Sequence, residues 1–280
     1  MFEIVRKENL NPTVTRMTVK APLVAQKARA GQFIILRVSE DGERIPLTVA
    51  DFDPNAGTVD VIFQIVGGTT MELNAKRVGE SLPDFVGPLG RPTEIEGIKK
   101  AIVVGGGAGC AIALPIVRAL HAQGTDVRAI IGFRSKDLII LESEFRACAD
   151  DLTLTTDDGS AGRAGTVTAP LEELLRSEAD FDEVIAIGPL VMMKFVCLTT
   201  KKYSVKTVVS MNPIMIDGTG MCGCCRLTVG GKMRFACVDG PDFDGHLVDF
   251  DEAIRRSSAY RSFEAKKRGE ACNLLNMEAR

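Results

Sequence analysis

The stretch Ala101-Ile-Val-Val-Gly-Gly-Gly-Ala-Gly-Cys110 decides the fold of the middle of this chain. An apolar run passes directly into a glycine-rich turn, and a segment rich in Ala, Ile and Leu follows. Glycine lets the backbone approach a pyrophosphate closely, and the start of a helix offers unpaired N–H donors. The pattern predicts a strand, a helix and, between them, a phosphate-binding turn at Gly105, Gly106, Gly107 and Gly109. A turn that needs glycine only for packing is the alternative interpretation.

Three more apolar runs follow at intervals, each separated from the next by a helical pattern: 127–131, 152–156 and 184–187. This alternation predicts a parallel sheet flanked by helices over residues 99–210. Ligands bind such sheets at the carboxyl ends of the strands. The candidate nucleotide contacts there are Arg134, Asp157, Asp158, Gly188 and Pro189.

No acidic residue ends the second strand of this sheet, where Gly132-Phe-Arg-Ser135 stands. A carboxylate at that point is the usual clamp on the ribose of NAD, and a basic residue can instead hold the 2′-phosphate of NADP. The residues themselves therefore leave the choice between NAD and NADP open.

Residues 1–98 read as short strands broken by turns, which predicts a small antiparallel β-barrel. Two segments in it could bind a flavin nucleotide. The first, Arg44-Ile-Pro-Leu-Thr48, combines an arginine that can neutralise a phosphate with a threonine that can bond a ring edge. The second, Gly67-Gly-Thr-Thr70, begins a helix-like stretch and could hold another phosphate. The candidates are Arg44, Pro46, Leu47, Thr48, Gly67, Gly68, Thr69 and Thr70.

Four of the eight cysteines fall within the sixteen residues from Cys222 to Cys237. Together with Asp217 they give the spacing D-x4-C-x2-C-x11-C, which matches the plant-type iron-sulfur pattern with aspartate in the first position. Asp217, Cys222, Cys225 and Cys237 are the predicted ligands, within a module spanning 211–250. Three thiolates and a carboxylate could also hold zinc, and Cys224 could replace a neighbouring cysteine as ligand. A polar, helix-forming tail over 251–280 completes the predicted domains.

The composition agrees with a globular protein of two or three units. The chain has 280 residues, of which 45% are hydrophobic and 25% charged, with a net charge of −3. A balance so close to neutral gives no basic field for nucleic acid, and no segment approaches the roughly 18 apolar residues of a membrane span. With free thiols and no export signal at the N-terminus, we expect a cytoplasmic protein.

The three signals together resemble the ferredoxin-reductase superfamily, and within it the electron-transfer subunits related to that of dihydroorotate dehydrogenase. Of these, the chain is most similar to the small subunits of NADH-dependent reduced ferredoxin:NADP oxidoreductases, which place aspartate where the dihydroorotate type has cysteine. The resemblance spans nearly the whole chain. It rests on the segments 44–51, 87–90, 104–109, 156–159, 188–189 and 217–237.

The resemblance implies FAD in the barrel, NAD(H) on the parallel-sheet domain and a 2Fe-2S cluster in the C-terminal module. It also implies a heterodimer with a large, glutamate synthase-like subunit that carries another flavin and further clusters. Ferredoxin and NADP(H) would react there, and electron bifurcation would occur in that partner.

Two alternatives stay open. The chain could serve as the NAD(H)-facing electron adaptor of another complex, such as dihydroorotate dehydrogenase. It could instead be a regulatory nucleotide-binding module with structural zinc.

Overall fold

The computed structural model describes residues 1–178, 180–259, 262–266 and 268–269. Its first part is a seven-stranded antiparallel sheet with the strand order β6-β1-β2-β5-β4-β3-β7. Its elements are β1 (Phe2–Asn11), β2 (Val14–Lys20), α1 (Pro22–Ala25), β3 (Phe33–Arg37), β4 (Ile45–Asp53), β5 (Thr58–Gln64), α2 (Gly68–Ala75), β6 (Ser81–Leu82) and β7 (Asp84–Leu89).

The two edge strands of this sheet, β6 and β7, are separated in the chain by Pro83 alone, so the sheet curls into a nearly closed barrel. Successive residues of a strand point to opposite faces. Along β5 the alternate residues Val59, Val61 and Phe63 are at most 2% exposed and form part of the barrel core. The predicted barrel is confirmed.

The second part is a seven-stranded sheet flanked by helices, in the order β11-β10-β9-β8-β12-β13-β16. All its pairs are parallel except β13 with β16. Its elements are β8 (Lys100–Gly106), α3 (Cys110–Ala122), β9 (Asp126–Phe133), α4 (Glu142–Arg146), β10 (Asp151–Thr156), β11 (Arg163–Ala164), α5 (Thr168–Ser177), β12 (Glu183–Ile187), α6 (Leu190–Lys201) and β13 (Lys206–Ser210).

The chain runs outward from β8 through β9 to β10 and then returns to the other side of β8 to form β12. The strand order therefore reverses between β8 and β12. Crevices at such reversal points are the ligand sites of open parallel sheets. Because β8 ends in the glycine-rich turn, this turn stands at the reversal point.

The third part contains a two-stranded hairpin, and its strand β16 extends the parallel sheet. No described helix is long and apolar enough to cross a membrane. Of the predicted 251–280 tail, residues 260–261, 267 and 270–280 lie outside the described residues, as does Cys272. The elements are β14 (Arg226–Val229), β15 (Lys232–Phe235), α7 (Ala236–Asp239), β16 (Asp242–Asp244) and α8 (Phe250–Ser257).

Candidate functional site

A cavity of about 1050 Å³ is lined jointly by residues of the barrel and of the parallel sheet. It is large enough for extended cofactors, since small-molecule sites usually span about 300–1,000 Å³. Eleven of the seventeen predicted cofactor contacts line it: Pro46, Leu47, Thr48, Thr70, Gly106, Gly107, Gly109, Arg134, Asp157, Gly188 and Pro189.

The glycine-rich turn packs against the turn that follows β12. A Cβ on Gly109 would lie 2.4 Å from the carbonyl oxygen of Ile187 and 2.7 Å from Cα of Gly188. Gly107 has a φ of +54°, in the left-handed region that favours glycine. No side chain caps the start of α3, so no side-chain acceptor competes with a ligand for the N–H groups of this turn.

The ends of β9 and β10 supply opposite charges to the same cavity. Arg134 is exposed and lines it beside Asp157, whose backbone N–H donates to the carbonyl of Phe133. Asp158 lies outside the cavity lining, and its carboxylate accepts hydrogen bonds from the hydroxyl and the N–H of Ser160. These bonds lower the pKa of Asp158 and hold the loop.

On the barrel side, Pro46, Leu47 and Thr48 of β4 face the cavity, whereas Arg44 lies outside its lining. The guanidinium of Arg44 is 3.7 Å from the carboxylate of Asp84, and its charge contributes to the lowered pKa of Asp217. Arg44, the first residue of the segment 44–48 that we call the flavin-type motif, therefore lies towards the cysteine-rich loop and not in the cavity wall.

The remaining candidates, Gly67, Gly68, Thr69 and Gly105, are not part of the cavity lining. Thr70 accepts hydrogen bonds from the N–H groups of Val66 and Gly67, which fixes the start of α2. Thr69 donates to Glu43 at 2.9 Å. A Cβ on Gly105 would lie 2.9 Å from the sulfur of Cys110. Gly105 therefore allows α3 to pack closely on β8.

Sequence reasoning missed a second group of lining residues. Phe33, Gln64 and the segment Ser210-Met-Asn-Pro213 reach the same cavity from β3, β5 and the link to the third part. None carries a motif. The β-branched run Thr207-Val-Val209 before this segment could have predicted β13, and the carboxyl end of β13 would then have pointed to Ser210.

The predicted metal ligands Asp217, Cys222 and Cys225 belong to one loop, and Cys237 lies in α7, directly after the hairpin that follows this loop. Gly218, Gly220 and Gly223 all have positive φ, which gives the loop its tight path. The sulfurs of Cys225 and Cys237 lie 3.2 Å apart, while Cys222 is exposed. One oxygen of Asp217 accepts hydrogen bonds from the N–H and hydroxyl of Thr219. Among the described residues, no three such side chains are gathered closely enough to hold a metal ion.

The surroundings of the sulfurs nevertheless fit an iron-sulfur cluster. The N–H of Cys224 hydrogen-bonds the sulfur of Cys222 and lowers its pKa, and the N–H of Gly220 bonds that of Cys237. Backbone hydrogen bonds to sulfur stabilise thiolates and tune cluster potentials. Burial raises the pKa of Cys237 to about 12. Cys224 interacts with Cys222, so the geometry leaves its possible exchange with a neighbouring ligand open.

Comparison with known proteins agrees with this fit. The model of the iron-sulfur cluster binding domain of dihydroorotate dehydrogenase B matches residues 212–249. This match supports iron-sulfur chemistry over zinc.

A homologue of the dihydroorotate dehydrogenase B electron transfer subunit from Thermotoga maritima is 47% identical over 94% of this chain and 92% of its own. The electron transfer subunit of that enzyme from Streptococcus mutans is 32% identical over 89% of this chain and 97% of its own.

This chain is also similar to a solved structure of the NADH-dependent reduced ferredoxin-NADP oxidoreductase, which was studied for insights into flavin-based electron bifurcation. It matches with a TM-score of 0.90 at 46% identity and covers 95% of this chain and 96% of its own. The predicted ferredoxin-reductase-like architecture is therefore confirmed. The chain belongs to the family of dihydroorotate dehydrogenase B electron transfer subunits and their homologues.

Proposed function

We propose that this chain is the electron-transfer subunit of an electron-bifurcating, NADH-dependent ferredoxin:NADP oxidoreductase. It exchanges hydride between NAD(H) and FAD, and single electrons between FAD and a 2Fe-2S cluster. The observation that carries this function is the joint cavity, which is lined both by Pro46, Leu47 and Thr48 of β4 and by the glycine-rich turn that follows β8. The iron-sulfur module adjoins this site, because Met211, Asn212 and Pro213 line the cavity just before the ligand loop.

Each of the three parts of the chain binds one of the three groups that take part in electron transfer. The barrel motif at 46–48 with Thr70 holds FAD, and Gly106, Gly107 and Gly109 with the start of α3 hold the pyrophosphate of NAD(H). Asp217, Cys222, Cys225 and Cys237 ligate the cluster. A flavin supplies the conversion between the two-electron chemistry of nicotinamide and the one-electron chemistry of iron-sulfur.

The charges at the ends of β9 and β10 bear on the choice of nucleotide. The carboxylate of Asp157 lines the cavity and can accept a hydrogen bond from the ribose 2′-hydroxyl of NAD. It would repel a 2′-phosphate, although Arg134 beside it could attract one. We therefore assign NAD(H) as the nucleotide. Asp157, which follows β10, supplies the carboxylate for the ribose that the sequence lacks at the end of β9.

The electron-transfer family implies a larger partner. We propose that this partner is a glutamate synthase-like subunit, which carries a further flavin and further clusters and forms a heterodimer with this chain. Ferredoxin and NADP(H) react at this large subunit. A second candidate is the dihydroorotate dehydrogenase complex, because relatives of both kinds cover most of the chain. Reconstitution with each large subunit distinguishes them: reduction of NADP that requires both NADH and reduced ferredoxin supports the first, and NAD-dependent dihydroorotate oxidation the second.

We also propose a reducing cytoplasm as the compartment. The seven described cysteines are all free, including Cys222, Cys224, Cys225 and Cys237. Thiolate ligands of this kind persist where thiols stay reduced.

An anaerobic visible spectrum of the purified chain tests the function directly. We expect about one FAD, two irons and two acid-labile sulfides per chain, and bleaching of the flavin by NADH. Zinc without sulfide and flavin would contradict the proposal and leave a regulatory nucleotide-binding protein.

A further inference from the structure

Asp242, the first residue of β16, holds a buried carboxylate that the proposed function does not use. Its Oδ2 accepts a hydrogen bond of 2.6 Å from the hydroxyl of Thr93, and the side chain of Ser210 also bonds the carboxylate. Its Oδ1 is buried without a hydrogen-bond partner among the described residues. A buried carboxylate oxygen without a donor is costly while it carries charge, and protonation removes that cost.

This carboxylate lies where all three parts of the chain meet. Thr93 belongs to the link between barrel and sheet, and its N–H donates to the carbonyl of Ala30. Ser210 ends β13 and pairs with Asp242. On the other side, the guanidinium of Arg91 donates to the carbonyl of Val238, next to the predicted cluster ligand Cys237.

The same junction touches the flavin-type motif. A Cβ on Gly90 would lie 2.8 Å from the ring of Phe33 and 3.0 Å from Pro241, so these residues pack together. Phe33 stands opposite Thr48 in the barrel. Because Ser210, Pro241 and Phe33 all line the cavity, Ser210 connects the cavity to the carboxylate behind its wall.

When a hydride is divided into single electrons, one proton remains. One hydride equals two electrons and one proton, so when one electron passes to the cluster and the other stays on the flavin, the proton is left for another group to accept. We propose that Asp242 is the redox-linked protonation site that accepts this proton through the Ser210 hydroxyl, an inference that rests on the proposed function. Ser210 passes its own proton to the carboxylate and takes one from the cavity; electron flow in the opposite direction returns it.

The electrostatics of the junction suit this role. Burial raises the pKa of Asp242 to about 6, which the bonds from Thr93 and Ser210 oppose and the charge of Glu183 reinforces. The carboxylate is thus ionised at neutral pH, yet close to taking a proton. Electrons added to neighbouring centres raise its pKa further. The charged groups of the surrounding elements are Glu183 with its partner Lys206, Arg91 and Glu94 of the link, Asp239 of α7 and Asp244 of β16.

Redox-difference infrared spectroscopy of the cofactor-loaded chain tests the proposal. On reduction with NADH at neutral pH we expect the carbonyl band of a newly protonated carboxylic acid, shifted in D₂O. Asp242→Asn removes this band. Glu183→Gln keeps it and is the matched control, since Glu183 is the other buried carboxylate nearby.

The outcomes separate the two proposals. A wild-type chain that NADH bleaches without the band, or a band that persists in Asp242→Asn, overturns the role of Asp242 and leaves the proposed function standing. Failure of NADH to bleach the wild-type flavin overturns the proposed function, and this inference with it.

Thr93→Val decides the case in which Asp242→Asn does not fold. It keeps the carboxylate but removes a hydrogen bond that favours its charged form. We expect the pH of half-maximal proton uptake to rise by at least half a unit, roughly a threefold change in proton affinity. An unchanged value overturns the proposal.

Discussion

Asp217 is the residue that most directly sets the properties of the proposed cluster. A carboxylate donates less electron density to iron than a thiolate does, so it stabilises the ferric state less. We expect a cluster potential well above the approximately −400 mV of all-cysteine plant-type ferredoxins, and Asp217→Cys should lower it. A redox titration followed by electron paramagnetic resonance measures the shift. Asp251→Asn, at an exposed carboxylate of α8, is the control, and an unchanged midpoint in Asp217→Cys would remove Asp217 from the ligand set.

Gly109 is the residue at which the nucleotide site tolerates least change. Its missing side chain leaves room for the turn after β12, and a Cβ there would meet backbone atoms at 2.4–2.8 Å. Overpacking of this kind costs about 1–3 kcal/mol. We expect Gly109→Ala to lower the thermal midpoint and weaken NADH binding measured by calorimetry. Gly269→Ala, whose Cβ would meet nothing within 4 Å, should change neither. Equal NADH affinity in both variants would contradict the assignment of the turn.

The raised pKa of Asp242 has a consequence for stability. An acid with a pKa of about 6 in the folded chain and 3.8 otherwise binds its proton more tightly when folded. Its contribution is therefore present below about pH 4 and is lost as the pH rises through about 6, by roughly 3 kcal/mol. Thermal midpoints from pH 4 to 7 should fall more steeply for the wild type than for Asp242→Asn. Parallel curves would mean that the carboxylate does not titrate in this range.

At the level of elements, an ion pair joins the helix behind the glycine-rich turn to the strand of the flavin-type motif. Arg118 of α3 contacts Asp51 of β4 at 2.6 Å, and Arg16 of β2 lies 3.7 Å from the same carboxylate. Both members of the first pair are about 40% exposed, so their contribution to stability is at most about 1 kcal/mol. Their effect is instead on the relative placement of the two cofactor sites.

Asp51→Asn tests this placement. Small displacements of reacting groups cost up to about 100-fold in rate, and a loosened pair should slow flavin reduction by NADH roughly three- to tenfold. Stopped-flow absorbance measures the rate constant, while the thermal midpoint should stay nearly unchanged. Arg163→Gln removes the exposed pair with Glu173 outside the cavity lining and should leave the rate as it is. Equal rates in the two variants would show that the pair does not set the geometry.

The elements also show how far the sequence could predict this molecule. β8 and β12 were predictable because strands buried on both faces read as continuous apolar runs. β9 and β10 are interrupted by Arg128 and by threonines, but they remain rich in residues that favour strands. β13 was missed because its apolar run is short, and β16 because it has only three residues. The roles of Ser210 and Asp242 could not be predicted, since the chain brings them to Thr93 across more than a hundred residues. The spacing of the cysteines predicted the candidate ligands, but it could not predict that the sulfurs of Cys225 and Cys237 lie together.

At the scale of the whole molecule, electrons must leave through a surface beside the cluster loop. This loop carries Met221, which is 87% exposed next to Cys222, and the partly exposed Ile216, and the partly exposed Val238 of α7 lies beside it. Exposed apolar groups of this kind mark interaction sites. Because the proposed function requires a partner close to the cluster, we expect the large subunit to cover these side chains.

Met221→Glu tests that expectation, because a charge buried without a partner weakens an interface. We expect at least about a tenfold weaker association with the large subunit, equivalent to roughly 1.4 kcal/mol, in sedimentation experiments. Iron and sulfide content should match the wild type, which separates lost docking from lost cluster. Leu23→Glu, at a residue of α1 that is 76% exposed on the barrel, should bind normally. If both variants bind like the wild type, the large subunit does not cover Met221 and docks on another face.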